Sequence, residues 1–260
     1  MLSLRLRPHE KTGEGTPLIA HLLEIRRRLL IVVAVFILVL IPCAIFSRQL
    51  FVLLALPIMQ RLPAGSSMIA TGVSSPFLTP FKLAAGIAGF ATVPVALYHA
   101  WAFLMPGLYR RERRMLAPLL ALSLALFYLG MAFAYFVIAP LALHFFISMA
   151  PPGVKVMTDI GSYFSFTMTL FFAFGVAFEL PIVEVVLVWL GFLSTERLRK
   201  FRPYMLVGAF VIGMILTPPD MFSQTLLAVP LYALYELGIL LARFMLNTNP
   251  DLSAETAGSE

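Results

Sequence analysis

A chain of 260 residues that is 60% hydrophobic and 12% charged, with a mean hydropathy of +0.93, falls outside the soluble globular class, where about 25% of residues carry charge. Continuous apolar runs with prolines and glycines inside them exclude a β-barrel, whose strands are short and alternating. The net charge of +6 does not mark a nucleic-acid partner, because the basic residues gather at the ends of apolar runs; the one cysteine, Cys43, leaves no internal disulfide and no cysteine-based metal site.

Residues 1–28 are polar and basic, with Arg5, Arg7, Lys11, Arg26, Arg27 and Arg28 ahead of a first apolar run at 29–46. No small-residue cleavage site follows, so the run is read as a retained span rather than a secretion signal. Just before it, Leu22, Ile25 and Leu29 fall on one helical face, and Glu24 precedes Arg28 by four residues, the favourable order for an ion pair. Residues 47–76 are a loop containing an amphipathic piece at 49–62. The second span, 77–104, holds Pro94, whose ring frees the carbonyl of Phe90 and kinks the helix. It ends in the run from Trp101 to Arg114, Trp-Ala-Phe-Leu-Met-Pro-Gly-Leu-Tyr-Arg-Arg-Glu-Arg-Arg, where four arginines surround Glu112.

A third span at 115–138 continues past Pro140 as a bent apolar stretch to 149, and a loop follows at 151–162. The fourth span, 163–191, carries Glu179 near its middle beside Pro181. In the basic loop after it, Ser194 is placed to cap a short helix containing Glu196, Arg197, Arg199 and Lys200. The fifth span, 203–216, is short: 14 residues rise about 21 Å against a hydrocarbon core of about 30 Å. A turn at 217–220 leads into the sixth, 221–244, around Pro230. Residues 245–260 form a polar tail, expected to be disordered.

Counting Lys and Arg sets the orientation. Fifteen lie in the N-terminal segment, the loop after Trp101, the loop at 192–202 and the C-terminal end; four (Arg48, Arg61, Lys82 and Lys155) lie at the other ends. Basic loops stay cytoplasmic, so the expectation is an all-α polytopic membrane protein of six transmembrane helices with both termini in the cytoplasm. Its parts are a cytoplasmic segment at 1–28, a membrane domain at 29–244 and a cytoplasmic tail at 245–260.

The polar residues point away from an enzyme. His9, His21, His99 and His144 are scattered, and no zinc-protease, nucleophile-elbow or phosphate-loop pattern is present, so no catalytic residue, metal or cofactor is expected. Glu179 is different, since a carboxylate at bilayer depth costs about 2.5–3.5 kcal/mol on insertion scales and persists where it has a partner or a task. It is read either as a hydrogen-bonded bridge at the Pro181 kink or as a polar spot in a groove. Glu184 lies about 140° around the helix from it, at about 100° per residue, so the two are not a carboxylate pair. Glu236 is expected to pair locally. Glu24 and Glu112 are either exposed ion-pair partners of nearby arginines or, at span ends, acceptors for a ligand's guanidinium groups. A proton-coupled small-solute transporter using Glu179 is the alternative, although no internal repeat supports it.

Several stretches resemble the TatC family, the multispanning receptor of the twin-arginine protein translocase: 17–26 (Pro-Leu-Ile-Ala-His-Leu-Leu-Glu-Ile-Arg), Ser75-Pro76-Phe77, the Trp101 to Arg114 run, 174–181 (Phe-Gly-Val-Ala-Phe-Glu-Leu-Pro), and 207–220 with its Leu-Thr-Pro-Pro-Asp end. The resemblance covers about 17–244, in order. It implies a concave bundle in the bacterial inner membrane that binds twin-arginine signal peptides of folded proteins, with export driven by proton-motive force. It also implies TatA-like and TatB-like single-span partners, self-association, and no nucleic-acid partner. By the same resemblance, Glu24, Arg26, Phe103 and Glu112 recognise the signal, Glu179 sits in the concave face, and Met214, Thr217 and Gln224 belong to a partner-binding edge. Glu184 is a departure from the family pattern.

Overall fold

The computed structural model describes residues 17–59, 68–104, 116–149, 157–217 and 220–248, and the fold statements below concern these residues. Ten α-helices follow one another: α1 (Pro17–Ile45), α2 (Ser47–Met59), α3 (Ser75–Leu104), α4 (Leu116–Phe133), α5 (Ala139–Ser148), α6 (Ile160–Ala177), α7 (Leu180–Trp189), α8 (Thr195–Lys200), α9 (Arg202–Leu216) and α10 (Met221–Thr248). Five helical stretches are long and apolar enough to cross a membrane: His21–Ile45, Ser75–Phe103, Ala117–Ser148, Ile160–Trp189 and Met221–Met245. The sixth expected span is the shorter helix Arg202–Leu216. The helical architecture therefore agrees with the reading from sequence. α1 begins at Pro17 and carries Glu24, Arg26 and Arg28 on the same continuous helix as the apolar run.

Prolines shape the spans as their missing N–H groups require. In lipid a freed carbonyl must find another donor, and the Tyr128 hydroxyl donates to Phe90 O at 3.1 Å, at the carbonyl released by Pro94. Before Pro140 the helix widens into a π-helical segment, Ala134–Ile138, and the Ala139 N–H reaches back to Ala134 O. Strain from a ring that clashes with the carbonyl four residues back is taken up there, so 116–148 remains one helical path. At Pro181 the outcome is sharper. α6 ends at Ala177 and α7 starts at Leu180, with Pro181 in its first turn, so the fourth span is two helices meeting at Phe178 and Glu179.

The helices pack α1 on α3, α4 and α3 on α6, and α7 and α9 on α10. The largest buried cluster gathers Ala134 and Ile138 from the π-helical segment, Leu170 and Phe174 from α6, and Leu227 and Leu231 from α10. Close approach of α4 and α6 depends on two glycines. A Cβ on Gly175 would lie 2.7 Å from the Phe127 ring, and one on Gly130 would meet the Phe174 carbonyl. Small residues at such crossings let helix backbones approach where lipid supplies no hydrophobic drive. Large apolar side chains such as Leu38, Ile45, Phe136 and Phe172 remain exposed on the outside, as a lipid-facing surface allows.

At one end of the bundle the strands β1 (Met68–Ile69) and β2 (Thr158–Asp159) pair in parallel. Asp159 joins them to α6: its carboxylate accepts from Ser162 N at 2.8 Å as the helix cap and from Thr71 N at 3.0 Å and Thr71 Oγ1 at 2.9 Å. The Thr71 backbone bond, followed by the others, holds the Asp159 carboxyl well below its ordinary range. A lowered folded-state pKa stabilises above the unfolded value and fails only as pH falls through the folded one. This junction is therefore expected to keep its amide protection through mildly acidic pH. Asp159→Ala should raise hydrogen exchange at Thr71 and Ser162 while leaving the middle of α6 protected, as measured by exchange mass spectrometry.

Candidate functional site

Two polar groupings meet at the last turn of α3. The first is the seam where the basic end of α1 lies against α3. Arg28 donates to Glu24 Oε1 from Nε at 3.0 Å and from Nη2 at 2.6 Å, and Nη2 also donates to Ala102 O at 3.2 Å. The pair thus ties one turn of α1 to the α3 terminus, where the last carbonyls lack intrahelical donors and attract a cation. One turn earlier on α1, the His21 ring packs on Phe103 with centroids 4.4 Å apart and an interplanar angle of 30°. Glu24 and Phe103 therefore flank one seam. Arg26 does not join them, being exposed on a different face of α1 with Leu23, Arg27, Leu30 and Ile31. Glu112 lies outside the described residues.

The second grouping is buried. Trp101 Nε1 donates to Ser123 Oγ at 3.0 Å, and the Ser123 hydroxyl donates onward to Glu179 Oε2. Ser123 is fully buried, and Glu179 and Trp101 nearly so. The chain Trp101 to Ser123 to Glu179 connects α3, α4 and the break between α6 and α7, and the Trp101 ring packs with Ile182 and Val186 below that break. A serine hydroxyl both accepts and donates, which is what joining an indole N–H to a carboxylate requires. One Glu179 oxygen, Oε2, thus bridges helices, while the other, Oε1, is buried without a partner among the described residues.

On the far side, Glu236 accepts from Arg202 Nη2 at 2.6 Å and from the Tyr232 hydroxyl at 2.8 Å, the local pairing expected for it. Glu184 is buried against Gly238, where any Cβ would strike its carboxylate, and neither of its oxygens has a partner among the described residues. At the proposed partner edge the three residues divide. Thr217 is buried and donates to Gly213 O at 2.9 Å, while Gln224 donates from Nε2 to Phe210 O at 2.9 Å. The Thr217 bond closes the last turn of α9, the Gln224 bond ties α10 to α9, and of the three only Met214 is exposed. No cluster of three or more His, Cys, Asp or Glu with metal-binding potential occurs among the described residues.

Comparison with known proteins decides the family. The model of the family described as Sec-independent protein translocase protein (TatC) matches residues 20–230. The chain belongs to the TatC family. The Sec-independent protein translocase protein TatC of Escherichia coli K12 is 54% identical over 228 residues, covering 88% of each chain. That of Haemophilus influenzae is 50% identical over 231 residues, covering 89% of this chain and 90% of its own. A crystal structure of the twin arginine translocase receptor TatC superposes with a TM-score of 0.78 at 38% identity, over 86% of this chain and 98% of that one. A TatC chain is a protein translocase component, which displaces the small-solute transporter alternative.

Sequence reasoning found Glu24, Phe103 and Glu179 but missed Ser123 and the inward role of Trp101. Neither carries a spacing signal, since Trp101 and Ser123 stand 22 residues apart and Ser123 and Glu179 stand 56 apart. Ser123→Ala removes the link while leaving two buried polar groups behind, which costs about 1–3 kcal/mol in each such case. A lowered thermal unfolding midpoint in detergent and a shifted Trp101 emission maximum are the expected outcomes. Glu179→Gln, which retains an acceptor for Ser123, should lower the midpoint by less than half as much.

Proposed function

We propose that this chain is the receptor and core subunit of a twin-arginine translocase: it binds the paired arginines of signal peptides on folded cargo and organises export driven by proton-motive force. The observation that carries the reading is the α1–α3 seam. An aromatic ring, Phe103, and a carboxylate already engaged with a guanidinium, Glu24, lie side by side at the basic end of the bundle. Carboxylates at that position recognise guanidinium groups in the geometry that arginine alone presents. Glu112, nine residues after Phe103 in the sequence, supplies the second carboxylate, and Arg26 contributes from its own face of α1. The role is that of a receptor, without catalytic residues or cofactor.

In this reading residues 1–28 and 245–260 are cytoplasmic and 29–244 form the membrane domain, in the bacterial inner membrane, as the fifteen basic residues on one side require. The partners are twin-arginine signal peptides, TatA-like and TatB-like single-span subunits, lipid and further copies of the chain. Met214 offers the exposed contact at the α9–α10 edge, Thr217 shapes that edge by capping α9, and Gln224 fixes α10 to α9. Glu179, with one oxygen unpartnered among the described residues, is a buried polar position of the membrane domain at the α6–α7 break.

The test is export of a folded fluorescent reporter bearing a twin-arginine signal. Glu24→Ala and Glu112→Ala should each reduce export at least about tenfold, the scale of losing a charge-assisted hydrogen bond of about 1.5–3 kcal/mol. Arg111→Ala should leave export near wild type. Export unchanged in both glutamate variants would overturn the proposal.

A further inference from the structure

The geometry points to Arg28 as a built-in occupant of the signal-peptide site, an intrachain guanidinium that holds Glu24 until the ligand's guanidinium displaces it. The inference rests on the receptor reading and adds to it an intrachain competitor. Three observations support it. The group on Glu24 is chemically the same as the group the site is proposed to receive. Both bonds from Arg28 fall on one oxygen, Oε1, so the pair is not the side-by-side fork in which two guanidinium nitrogens meet both carboxylate oxygens. An incoming arginine free of the α1 backbone is able to adopt that better geometry. Third, the pair is reachable, since the Arg28 and Glu24 side chains retain 24% and 40% of their exposure.

The exchange has a defined balance. One Arg28–Glu24 pair and one Arg28–Ala102 O bond break, and a ligand–Glu24 pair forms. Arg28 passes to solvent or to lipid phosphate at the membrane surface, where basic side chains are attracted. An arginine on the ligand replaces like with like and gains the second oxygen. A lysine offers a single point charge with no fork, so it displaces Arg28 poorly. Displacing Arg28 lowers both affinities by the same factor, so discrimination between the two arises from the fork to Glu24 and not from the competition. Release of Arg28 also removes its bond from the α3 terminus, leaving the His21–Phe103 ring contact as the remaining tie at that turn.

The test measures binding of two labelled synthetic peptides to the full-length chain in detergent by fluorescence anisotropy. One carries two consecutive arginines before an apolar stretch, and the other carries two lysines in their place. Arg28→Gln should tighten both peptides about threefold, the scale of an exposed ion pair, and leave the arginine preference unchanged. Arg27→Gln removes the same charge from a neighbouring exposed position and should give less than half that effect. Arg28→Lys keeps the charge but loses the Nε and Nη2 donors to Glu24 and Ala102 O. It should tighten both peptides by less than Arg28→Gln does, and it decides the matter if Arg28→Gln fails to fold. Unchanged or weakened binding in the Arg28 variants, or an equal gain in Arg27→Gln, overturns the inference while loss of binding in Glu24→Gln keeps the receptor reading. Intact binding in Glu24→Gln overturns both.

Discussion

Inside a bilayer a polar group that the protein does not satisfy has no water to turn to, and the last turn of α3 is where this chain meets that constraint most directly. Three consecutive residues there serve three different neighbours. Trp101 reaches through Ser123 to Glu179, the Ala102 carbonyl receives Arg28, and Phe103 lies on His21. The buried carboxylate and the interface carboxylate are thus held by one short segment. Helical geometry makes this possible, because successive residues point about 100° apart and one turn can address three directions.

The same constraint governs the backbone. Each proline inside a span frees a carbonyl, and the chain answers in different ways. Tyr128 covers Phe90 O below Pro94, the helix before Pro140 widens into a π segment, and at Pro181 the span divides. The last case matters for function. Dividing the span at Phe178 and Glu179 brings the Glu179 carboxylate out of a regular helix side and up to Ser123 on α4. Close packing of α4 on α6 at Gly130 and Gly175 then brings Ser123 within reach.

Much of the site was legible in order along the chain. The Glu24 to Arg28 spacing predicts their pairing, and the structure has it. Glu236 pairs locally as read, although one of its partners, Arg202, comes from another helix. Other readings changed once helices were placed beside one another. Thr217 and Gln224, expected at a partner edge, both donate to carbonyls of α9. Arg26, grouped with Glu24 by the family resemblance, lies on another face because two residues along a helix are separated by about 200°. Ser123 was not legible at all, since a single serine in an apolar run gives no periodic or spacing signal.

Composition and charge distribution by themselves determined that the chain is a helical membrane protein, how many apolar helices it has, and where its prolines bend them. These are properties of local hydropathy and of a ring that lacks an N–H, and no long-range contact is needed to state them. Tertiary structure alone decided which partner each polar side chain received. Trp101, Ser123 and Glu179 come from three helical elements, and Glu184 meets Gly238 across a helix interface. Such pairings depend on helix rotation and crossing, which small residues and close packing set, and a sequence read one span at a time does not contain them.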